Sequence, residues 1–499
     1  MHYFNLKFWA PFLAVMGFSL FAGLMIAEQA QYGVIKLIVG VVMVLFFFTS
    51  ARWWWVLIPA AFASGTVLWF GFKLYLHEVF LLMSILPLIF AIALNKNGMM
   101  EKRRPLLLMV KLLVAYLLIH MGWSLFWARL SGEGGFGNIL RAYFGFMWGV
   151  GFVFLFHLVG KTEFSKMAFY LLYGTLIFRM GMTLLTYFFP AFNYIPVINL
   201  ILPGSAQSTD DLRLSGAGAA CCALCAFSFT RNSFVRAINF GIAIFSVGAL
   251  LMGGGRVAVV SFLVFPLLFA WVNRLWIWFA GFFAMTVALL AFLNVSPRAI
   301  DTLEPRMQRT LSILVFDSTH GDIMGTEGSD VWHSELRRIA LERWLSSPWT
   351  FLFGNRIKKF DSSSYPQSGN SDINFQLALN QAADLGAYES GWFTVIATAG
   401  FCGILLVAGV LVLLIRKIYP IIRKEGVRSP ALAFCFLGFY YMIIWVVFGW
   451  AAGGFPTNEL VLSIVGLYTF GESAKQRGLV ERVVEKQAPA IFAHPIGVH

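Results

Sequence analysis

Apolar runs long enough to cross a bilayer recur along most of the chain, and short polar segments separate them. A helix of about 20 apolar residues spans the hydrocarbon core, so each run predicts one membrane-spanning helix. We therefore expect an all-α polytopic membrane protein with about 12–14 transmembrane helices. The fullest set has fourteen spans, at residues 8–26, 33–50, 53–72, 78–95, 106–127, 142–159, 167–189, 215–229, 238–254, 257–272, 275–294, 391–415, 430–449 and 459–471.

One long polar segment interrupts this rhythm. Residues 295–387 contain no run that could span a membrane, and they predict a single large, partly helical loop domain on the extracytoplasmic side. The rest of the chain divides into N-terminal transmembrane helices at 1–294, C-terminal transmembrane helices at 388–471 and a polar tail at 472–499. A second, smaller loop at 190–213 is rich in proline and is expected to be irregular or re-entrant.

Inside the large loop, the pattern predicts one amphipathic helix. Ser329 or Asp330 is expected to cap its start, and residues 346–348 are expected to end it. Its apolar stripe consists of Trp332, Leu336, Ile339 and Trp344. This stripe could lie along the membrane surface or pack on the rest of the loop, and the pattern favours neither. Further along, residues 361–374 are rich in Ser, Asn and Asp and predict a mobile loop.

Composition excludes a soluble globular protein. The 499 residues are 59% hydrophobic and only 12% charged, whereas about 25% of the residues of a soluble domain are charged. The net charge of +13 is concentrated in short loops that alternating spans place on one side. Cytoplasmic loops of membrane proteins collect Lys and Arg, so we expect these loops and both termini in the cytoplasm. The large loop, with 9 Lys and Arg against 11 Asp and Glu, is then on the outer, extracytoplasmic side.

The sequence predicts neither a cofactor nor a metal. A phosphate-binding GxxxxGK[ST], a GxGxxG after a strand and an HExxH are all missing. The five cysteines lie in apolar runs and are interpreted as small apolar residues rather than as disulfide or zinc ligands. Basic residues spread over short loops predict no nucleic-acid partner. The first apolar run lacks a small-residue cleavage site, which favours a transmembrane helix over a removed signal peptide.

Charged residues at the outer ends of the predicted spans are the candidate functional groups, because charge at membrane depth is costly. Arg256 follows the glycines at 253–255, and a guanidinium beside exposed backbone amides suits a diphosphate. Arg213 ends the proline-rich loop on the same face. Arg179 lies deeper within a span, where a buried partner or a bound anion is expected. For the arginines at the membrane border, snorkelling to the interface is the plain alternative.

Glu389 is the candidate acid. It lies between the large loop and the next span, directly after Tyr388. It could cap the helix N-terminus, where the helix dipole favours negative charge. It could instead act as a general base beside a cationic site, and both interpretations stay open.

Four stretches resemble the O-antigen ligase and Wzy-type O-antigen polymerase superfamily of bacterial membrane glycosyltransferases. Residues 213–216, Arg-Leu-Ser-Gly, are similar to the family's Arg-x-x-Gly after an outer loop. Residues 254–258, Gly-Gly-Arg-Val-Ala, resemble its Ser-Arg-x-Ala at the start of a span, with Gly in place of Ser. Residues 337–354 resemble a loop helix followed by an Asn-Pro-x-x-Gly-x-Gly turn. Glu389 lies eleven residues before Gly400, where ligases carry a His ahead of a Gly-x-x-Gly helix.

The resemblance implies an enzyme, a lipid-diphosphate-dependent glycosyltransferase that needs no metal and inverts the anomeric centre. Its donor is an undecaprenyl-diphosphate-linked glycan at the periplasmic face, and its acceptor is a glycan or lipid A-core. Membrane lipids and a chain-length regulator are the further partners. By the same resemblance Glu389 and Arg256 are catalytic, and Arg213, Arg256 and Arg179 bind the diphosphate. The remaining site residues, expected to contact the glycan or the loop, are Arg337, Arg338, His333 and Tyr388.

Two alternatives remain at this point. Because Glu389 stands where ligases have a His, we expect an O-antigen polymerase, and a ligase that transfers the glycan to lipid A-core is the alternative within the same chemistry. A flippase or exporter of lipid-linked sugars is the alternative from another class. Arg179 and Lys111 inside apolar runs favour an exporter. The lack of an internal repeat argues against it.

Overall fold

The computed structural model describes only part of the chain. The predicted spans at 8–26, 33–50 and 459–471 lie outside the described residues, as do the tail and most of the spans at 53–72, 78–95 and 142–159. The described residues are 59–61, 63–64, 67–69, 73–80, 108–131, 139, 143, 162–194, 210–296, 298–315, 323–357, 371–384, 386 and 388–448.

This part of the chain is mostly helical and contains one short hairpin. The strands β1, Val67–Trp69, and β2, Lys73–Tyr75, pair antiparallel. Short 3₁₀ turns lie at Pro190–Tyr194 and Ser312–Leu314. The helices in chain order are α1 Leu108–Leu130, α2 Thr162–Phe188, α3 Asp210–Phe229, α4 Ser233–Met252, α5 Arg256–Val272, α6 Trp276–Val295, α7 Arg298–Asp301, α8 Pro305–Leu311, α9 Ile323–Leu345, α10 Pro348–Phe353, α11 Ser371–Asp384, α12 Gly391–Glu425 and α13 Pro430–Phe448.

Seven of the described helices are long and apolar enough to cross a membrane, namely α1, α2, α3, α4, α6, α12 and α13. The apolar helix α5 is shorter, at 17 residues. The chain is therefore a multi-pass membrane protein. These eight helices fall on eight of the predicted spans, from 106–127 to 430–449.

Some predicted boundaries were wrong. The span predicted at 391–415 continues as α12 to Glu425, with Arg423 and Lys424 in its last turn, where the helix dipole favours cations. Part of the span predicted at 53–72 forms the strand β1. The apolar pattern alone did not distinguish this strand from a helix. In the proline-rich loop, α3 already begins at Asp210.

Small side chains bring α3 and α4 close together. Between residues 219 and 226 of α3, every alanine and cysteine is at most 3% exposed. Leu224, the other residue of this stretch, is partly buried. A Cβ on Gly216 would lie 2.8 Å from the backbone nitrogen of Leu250. Such close backbone contact is typical of membrane helices, which associate through small residues. All five cysteines are free, and four of them are buried.

The two ends of the spanning helices differ in chemistry. At one end, the α5–α6 and α12–α13 turns meet, and the Val427 N–H donates to Asn273 Oδ1 at 2.8 Å. Ser228 at the end of α3 donates to the Val427 carbonyl at 2.7 Å, and Arg423 lies over the Trp271 ring. This end carries the basic residues Arg231, Arg236, Arg274, Arg423, Lys424 and Arg428. The starts of α3, α5 and α12, which carry predicted site residues, lie at the other ends of these helices.

The helix α12 is broken at Gly400. The backbone there has φ 63° and ψ −165°, far from helical values. The Ala397 carbonyl accepts a hydrogen bond from the Asn355 N–H at 2.7 Å, and the Ala399 carbonyl accepts one from the Tyr116 hydroxyl at 2.6 Å. A break within a membrane span needs such replacement partners, because water is not available to supply them.

The end of α10 fits into this break. A Cβ on Gly354 would lie 2.4 Å from the carbonyl carbon of Thr398, and a Cβ on Gly400 would lie 2.4 Å from the Gly354 nitrogen. The Tyr116 hydroxyl also lies 3.3 Å from the carbonyl oxygen of Phe353. The segment between α6 and α12 is thus fixed to a spanning helix by backbone contact.

The apolar face of α9 packs against protein. Leu336 and Ile339 are buried against α11, against Ala397 of α12 and against Tyr388. Of the two interpretations left open for this stripe, the structure therefore supports packing within the loop. The predicted helix end at residues 346–348 is confirmed, but α9 begins at Ile323, so Ser329 and Asp330 lie inside it and do not cap it. The end of the predicted mobile loop, from Ser371 onward, is helical.

Candidate functional site

Arg256, the first residue of α5, forms a two-point ion pair with Asp330 of α9. Nη2 of Arg256 lies 2.5 Å from Oδ1 of Asp330, and Nη1 lies 3.3 Å from Oδ2. The arginine side chain is 19% exposed and the aspartate side chain is 64% exposed. A planar guanidinium binds phosphate oxygens with the same two-point geometry. Arg256 thus holds a carboxylate in two-point geometry at this end of the helices.

Arg213 lies against the glycine turn that precedes Arg256. A Cβ on Gly253 would lie 2.4 Å from the Arg213 nitrogen, and a Cβ on Gly255 would lie 2.9 Å from the Arg213 Cβ. Gly254 between them has φ 69°, which glycine adopts without strain. Within the described residues, the exposed side chain of Arg213 pairs with no carboxylate. The glycines thus let the backbone that carries one arginine approach the backbone that carries another.

Glu389 precedes α12 in a left-handed backbone conformation, with φ 51°. Its Oε2 accepts a hydrogen bond from Trp332 Nε1 at 3.1 Å and lies 3.6 Å from Nδ1 of His333. The side chain is 51% exposed. Left-handed geometry at a non-glycine residue costs about 1–3 kcal/mol and is typical of functional positions that the surrounding structure enforces. The contacts described for this carboxylate are with α9, and they favour a role other than capping α12.

His333 lies within electrostatic reach of the other charges. Burial lowers the pKa of His333, and Arg337 and Arg256 lower it further. The carboxylates of Glu389 and Asp330 act in the opposite direction, and the pKa remains below its ordinary value. The Nε of Arg337 donates to the His333 carbonyl at 3.1 Å. These five residues, together with Arg213 beside the glycine turn, are called the charged cluster; its members are Arg213, Arg256, Asp330, His333, Arg337 and Glu389.

Arg338 and Tyr388, expected as glycan or loop contacts, lie apart from the cluster. Arg338 pairs with Glu335 at 2.8 Å and with Glu342, both on its own helix. Of the adjacent arginines on α9, Arg337 is therefore the one that acts on the cluster. Tyr388 is only 2% exposed and packs in the core between α9, α11 and α12, where it cannot reach a glycan. Burial raises the pKa of its hydroxyl.

Arg179, expected to bind the diphosphate, has the buried partner that its depth required. Its Nη2 donates to Oδ1 of Asp211 at 2.7 Å, and its Nη1 donates to the Ala63 carbonyl at 2.7 Å. Both side chains of the ion pair are mostly buried. Because Asp211 neutralises it, Arg179 does not need a bound anion. The ion pair fixes the first turn of α3, because Asp211 lies there, two residues before Arg213.

Sequence reasoning missed Asp330 and Trp332 as site residues. Asp330 was interpreted as a helix cap, and Trp332 as part of an apolar stripe. A usable signal was present, because Asp330, His333 and Arg337 follow one another at spacings of three and four residues. Residues at these spacings share one face of a helix. Three members of the cluster thus lie on one face of α9, opposite the starts of α5 and α12.

The described residues define a mostly helical multi-pass membrane protein with a charged cluster at one end of its spanning helices. Among them, no group of three or more His, Cys, Asp and Glu side chains could hold a metal ion. Comparison with protein-family models, curated proteins and solved structures gives no match for this chain. Its chemistry must therefore be inferred from the cluster itself.

Proposed function

We propose that this protein is an integral-membrane glycosyltransferase that polymerises surface-polysaccharide repeat units carried on undecaprenyl diphosphate. The observation that carries the proposal is the composition of the charged cluster. Arg256 from the start of α5 and Glu389 from the start of α12 both act on His333, and Arg213 from the start of α3 lies against the glycine turn before Arg256. A face of α9 joins them. Cations beside an accessible carboxylate are the groups that this transfer requires.

The leaving group explains the cations. When an acceptor oxygen attacks the anomeric carbon of the donor, the bond from that carbon to the phosphate oxygen breaks. The lipid diphosphate leaves with the electron pair, and preorganised cations stabilise the charge that develops on it. Arg256 and Arg213 are suited to this task, with Arg337 in support. Three helices also begin at this end, and their dipoles favour an anion.

Glu389 is suited to accept the proton of the acceptor hydroxyl. Its side chain is half-exposed, and the Trp332 indole holds one of its oxygens. The proton moves to Glu389 as the new glycosidic bond forms opposite the departing diphosphate, which inverts the anomeric carbon. Burial and the arginines lower the pKa of His333, which favours its neutral form beside Glu389.

The proposal includes an orientation in a bacterial inner membrane. The basic end of the spanning helices would face the cytoplasm, where both termini would also lie. The helices α7–α11 would then form a periplasmic loop domain over the cluster. A covered site keeps water from hydrolysing the donor, and the anchoring of α10 in the break of α12 supports such a cover.

The test removes one cation and the base. In Arg256→Ala and Glu389→Gln we expect chain elongation to stop while the protein remains folded in the membrane. Losing a preorganised cation lowers the rate about 10²–10³-fold, and losing a general base lowers it about 10²–10⁴-fold. Elongation of a lipid-linked repeat unit by purified protein in nanodiscs is followed by mass spectrometry. Arg231→Ala at the basic end and Glu342→Gln on α9 are the matched controls and should retain activity.

Normal elongation by both site variants would reject the proposal. The product also separates the related functions, because a polymerase yields a longer lipid-linked glycan and a ligase yields a glycosylated lipid A-core. Movement of the lipid-linked unit between leaflets with no change in its mass would instead identify an exporter.

A further inference from the structure

The carboxylate of Asp330 lies where an oxyanion of the donor would bind. We propose that Asp330 occupies the phosphate position on Arg256 in the donor-free protein, and that it must leave before the donor diphosphate binds. Asp330 then sets the affinity of the site for the donor. This inference rests on the proposed function, because it concerns the diphosphate site of that reaction.

The geometry makes the two ligands mutually exclusive. Both terminal nitrogens of Arg256 face Asp330, at 2.5 and 3.3 Å from its two oxygens. A phosphate bound in the two-point manner needs the same two nitrogens. The carboxylate and the phosphate therefore compete for one edge of the guanidinium.

The exposures of the two side chains indicate which of them moves. Arg256 is 19% exposed and is held at the start of α5, beside the closely packed glycine turn. Asp330 is 64% exposed on the outer face of α9. A mostly exposed aspartate is rehydrated easily once it leaves, and ion pairs of this kind contribute little to stability. The carboxylate can therefore be displaced while the arginine stays in place.

A diphosphate has two advantages over this carboxylate. It carries more negative charge, and it can reach Arg213, whose side chain lies beside the same glycine turn and pairs with no carboxylate of the described residues. A carboxylate near the site also repels an incoming diphosphate. Removing the charge of Asp330 therefore favours donor binding in two ways. It weakens the ligand that competes for Arg256, and it removes the repulsion of the diphosphate.

The experiment measures binding, which needs no turnover. Asp330→Asn keeps the size of the side chain and removes its charge. Farnesyl diphosphate is titrated onto the full chain in phosphatidylcholine nanodiscs, and we expect it to bind about 2- to 5-fold more tightly to Asp330→Asn than to the wild type. Glu342→Gln removes an exposed carboxylate from the same helix and should leave the affinity unchanged. In an Arg256→Ala background, the gain from Asp330→Asn should be smaller, because only the relief of electrostatic repulsion remains.

Several outcomes would overturn the inference. Unchanged or weaker binding by Asp330→Asn would show that Asp330 orients Arg256 for the donor and does not compete with it. Absence of binding to both proteins would show that the arginines take no diphosphate. Inorganic diphosphate, added as a competitor of farnesyl diphosphate, shows whether the diphosphate headgroup or the lipid tail is bound. Displacement supports the inference, and a failure to displace means that the lipid tail alone binds and overturns it. Tighter binding by Asp330→Asn without any glycosyl transfer would retain this inference and reject the proposed function.

Discussion

His333 is the residue from which the electrostatics of the charged cluster can be measured. Two carboxylates and two guanidinium groups act on its imidazole, with opposite signs. Burial adds to the effect of the arginines, so the pKa lies below the ordinary 6.5. Each neighbour can therefore be removed in turn and its contribution measured at a single group.

Replacing the neighbours of His333 should move its pKa in opposite directions. Glu389→Gln should lower it further, because that carboxylate stabilises the imidazolium. Arg337→Gln and Arg256→Gln should raise it, because each arginine repels the imidazolium. The measurement is a pH titration of histidine-labelled protein by NMR, with the resonance assigned by its loss in His333→Gln. Shifts of the same sign in all three variants would contradict the arrangement.

The lowered pKa also determines how His333 affects stability. The unfolded chain binds the proton more readily than the folded protein does, because its histidine has the ordinary pKa near 6.5. The contribution of this residue to the free energy of unfolding is therefore complete above that pH and is lost as the pH falls below it. His333→Gln should reduce this acid sensitivity.

At the residue scale, the sequence predicted the arginines better than their partners. Arg213, Arg256 and Glu389 could be singled out because few charges occur at that end of apolar runs. The pairing of Asp330 with Arg256 could not be predicted, because the two residues are 74 positions apart. The spacing of a helix shows which residues share a face, but it does not show what that face contacts.

At the element scale, the break in α12 is the feature that the sequence concealed. The apolar run continues through Gly400, and a glycine inside such a run is compatible with an unbroken helix. The break depends on Asn355 and Tyr116, whose hydrogen bonds replace those of the helix. Both lie far from Gly400 in sequence, so a local pattern could not reveal it. The spans themselves were predictable, because each needs only its own apolar residues.

Gly354→Ala should loosen the contact between α10 and the break. The backbone at Gly354 has φ 79°, and an added Cβ would lie 2.4 Å from Thr398, so both strain and a clash are expected. The cost is about 1–3 kcal/mol from the backbone alone. Thermal unfolding in detergent should shift to lower temperature, and hydrogen exchange in 348–357 should increase.

Gly248→Ala is the matched control for this substitution. Gly248 lies inside α4, where an added Cβ would have no described atom within 4 Å. Its unfolding temperature should stay near that of the wild type. Equal shifts in both variants would mean that the contact at Gly354 does not have the stabilising role described above.

At the scale of the whole molecule, charge separates the two ends of the spanning helices. The turns after α3, α5 and α12 carry arginines and lysines, whereas the opposite end has arginines paired with or close to carboxylates. This difference could be predicted from the sequence, because loop charges alternate with the spans. The way in which α7–α11 pack on the spanning helices could not, since it depends on contacts between distant segments.

Single cysteines should test the orientation. An impermeant maleimide added to cells with a permeabilised outer membrane should label Ser334→Cys on α9. It should label Ser233→Cys at the start of α4 only after the inner membrane is opened. Both positions are exposed. Four native cysteines are buried, so a parallel reaction of the parent protein corrects for the fifth, Cys402. The reverse labelling pattern would invert the orientation and place the cluster in the cytoplasm.

The contact between α10 and the break in α12 also limits how this chain can be recombined with others. The carbonyls of Ala397 and Ala399 in α12 find their hydrogen-bond donors in Asn355 and in Tyr116 of α1. A chimera that exchanges residues 295–387 alone would separate Gly354 from the break at Gly400, and Phe353 from the Tyr116 hydroxyl. Functional exchange of this loop between two such proteins should therefore require Tyr116 and Gly400 to be transferred with it.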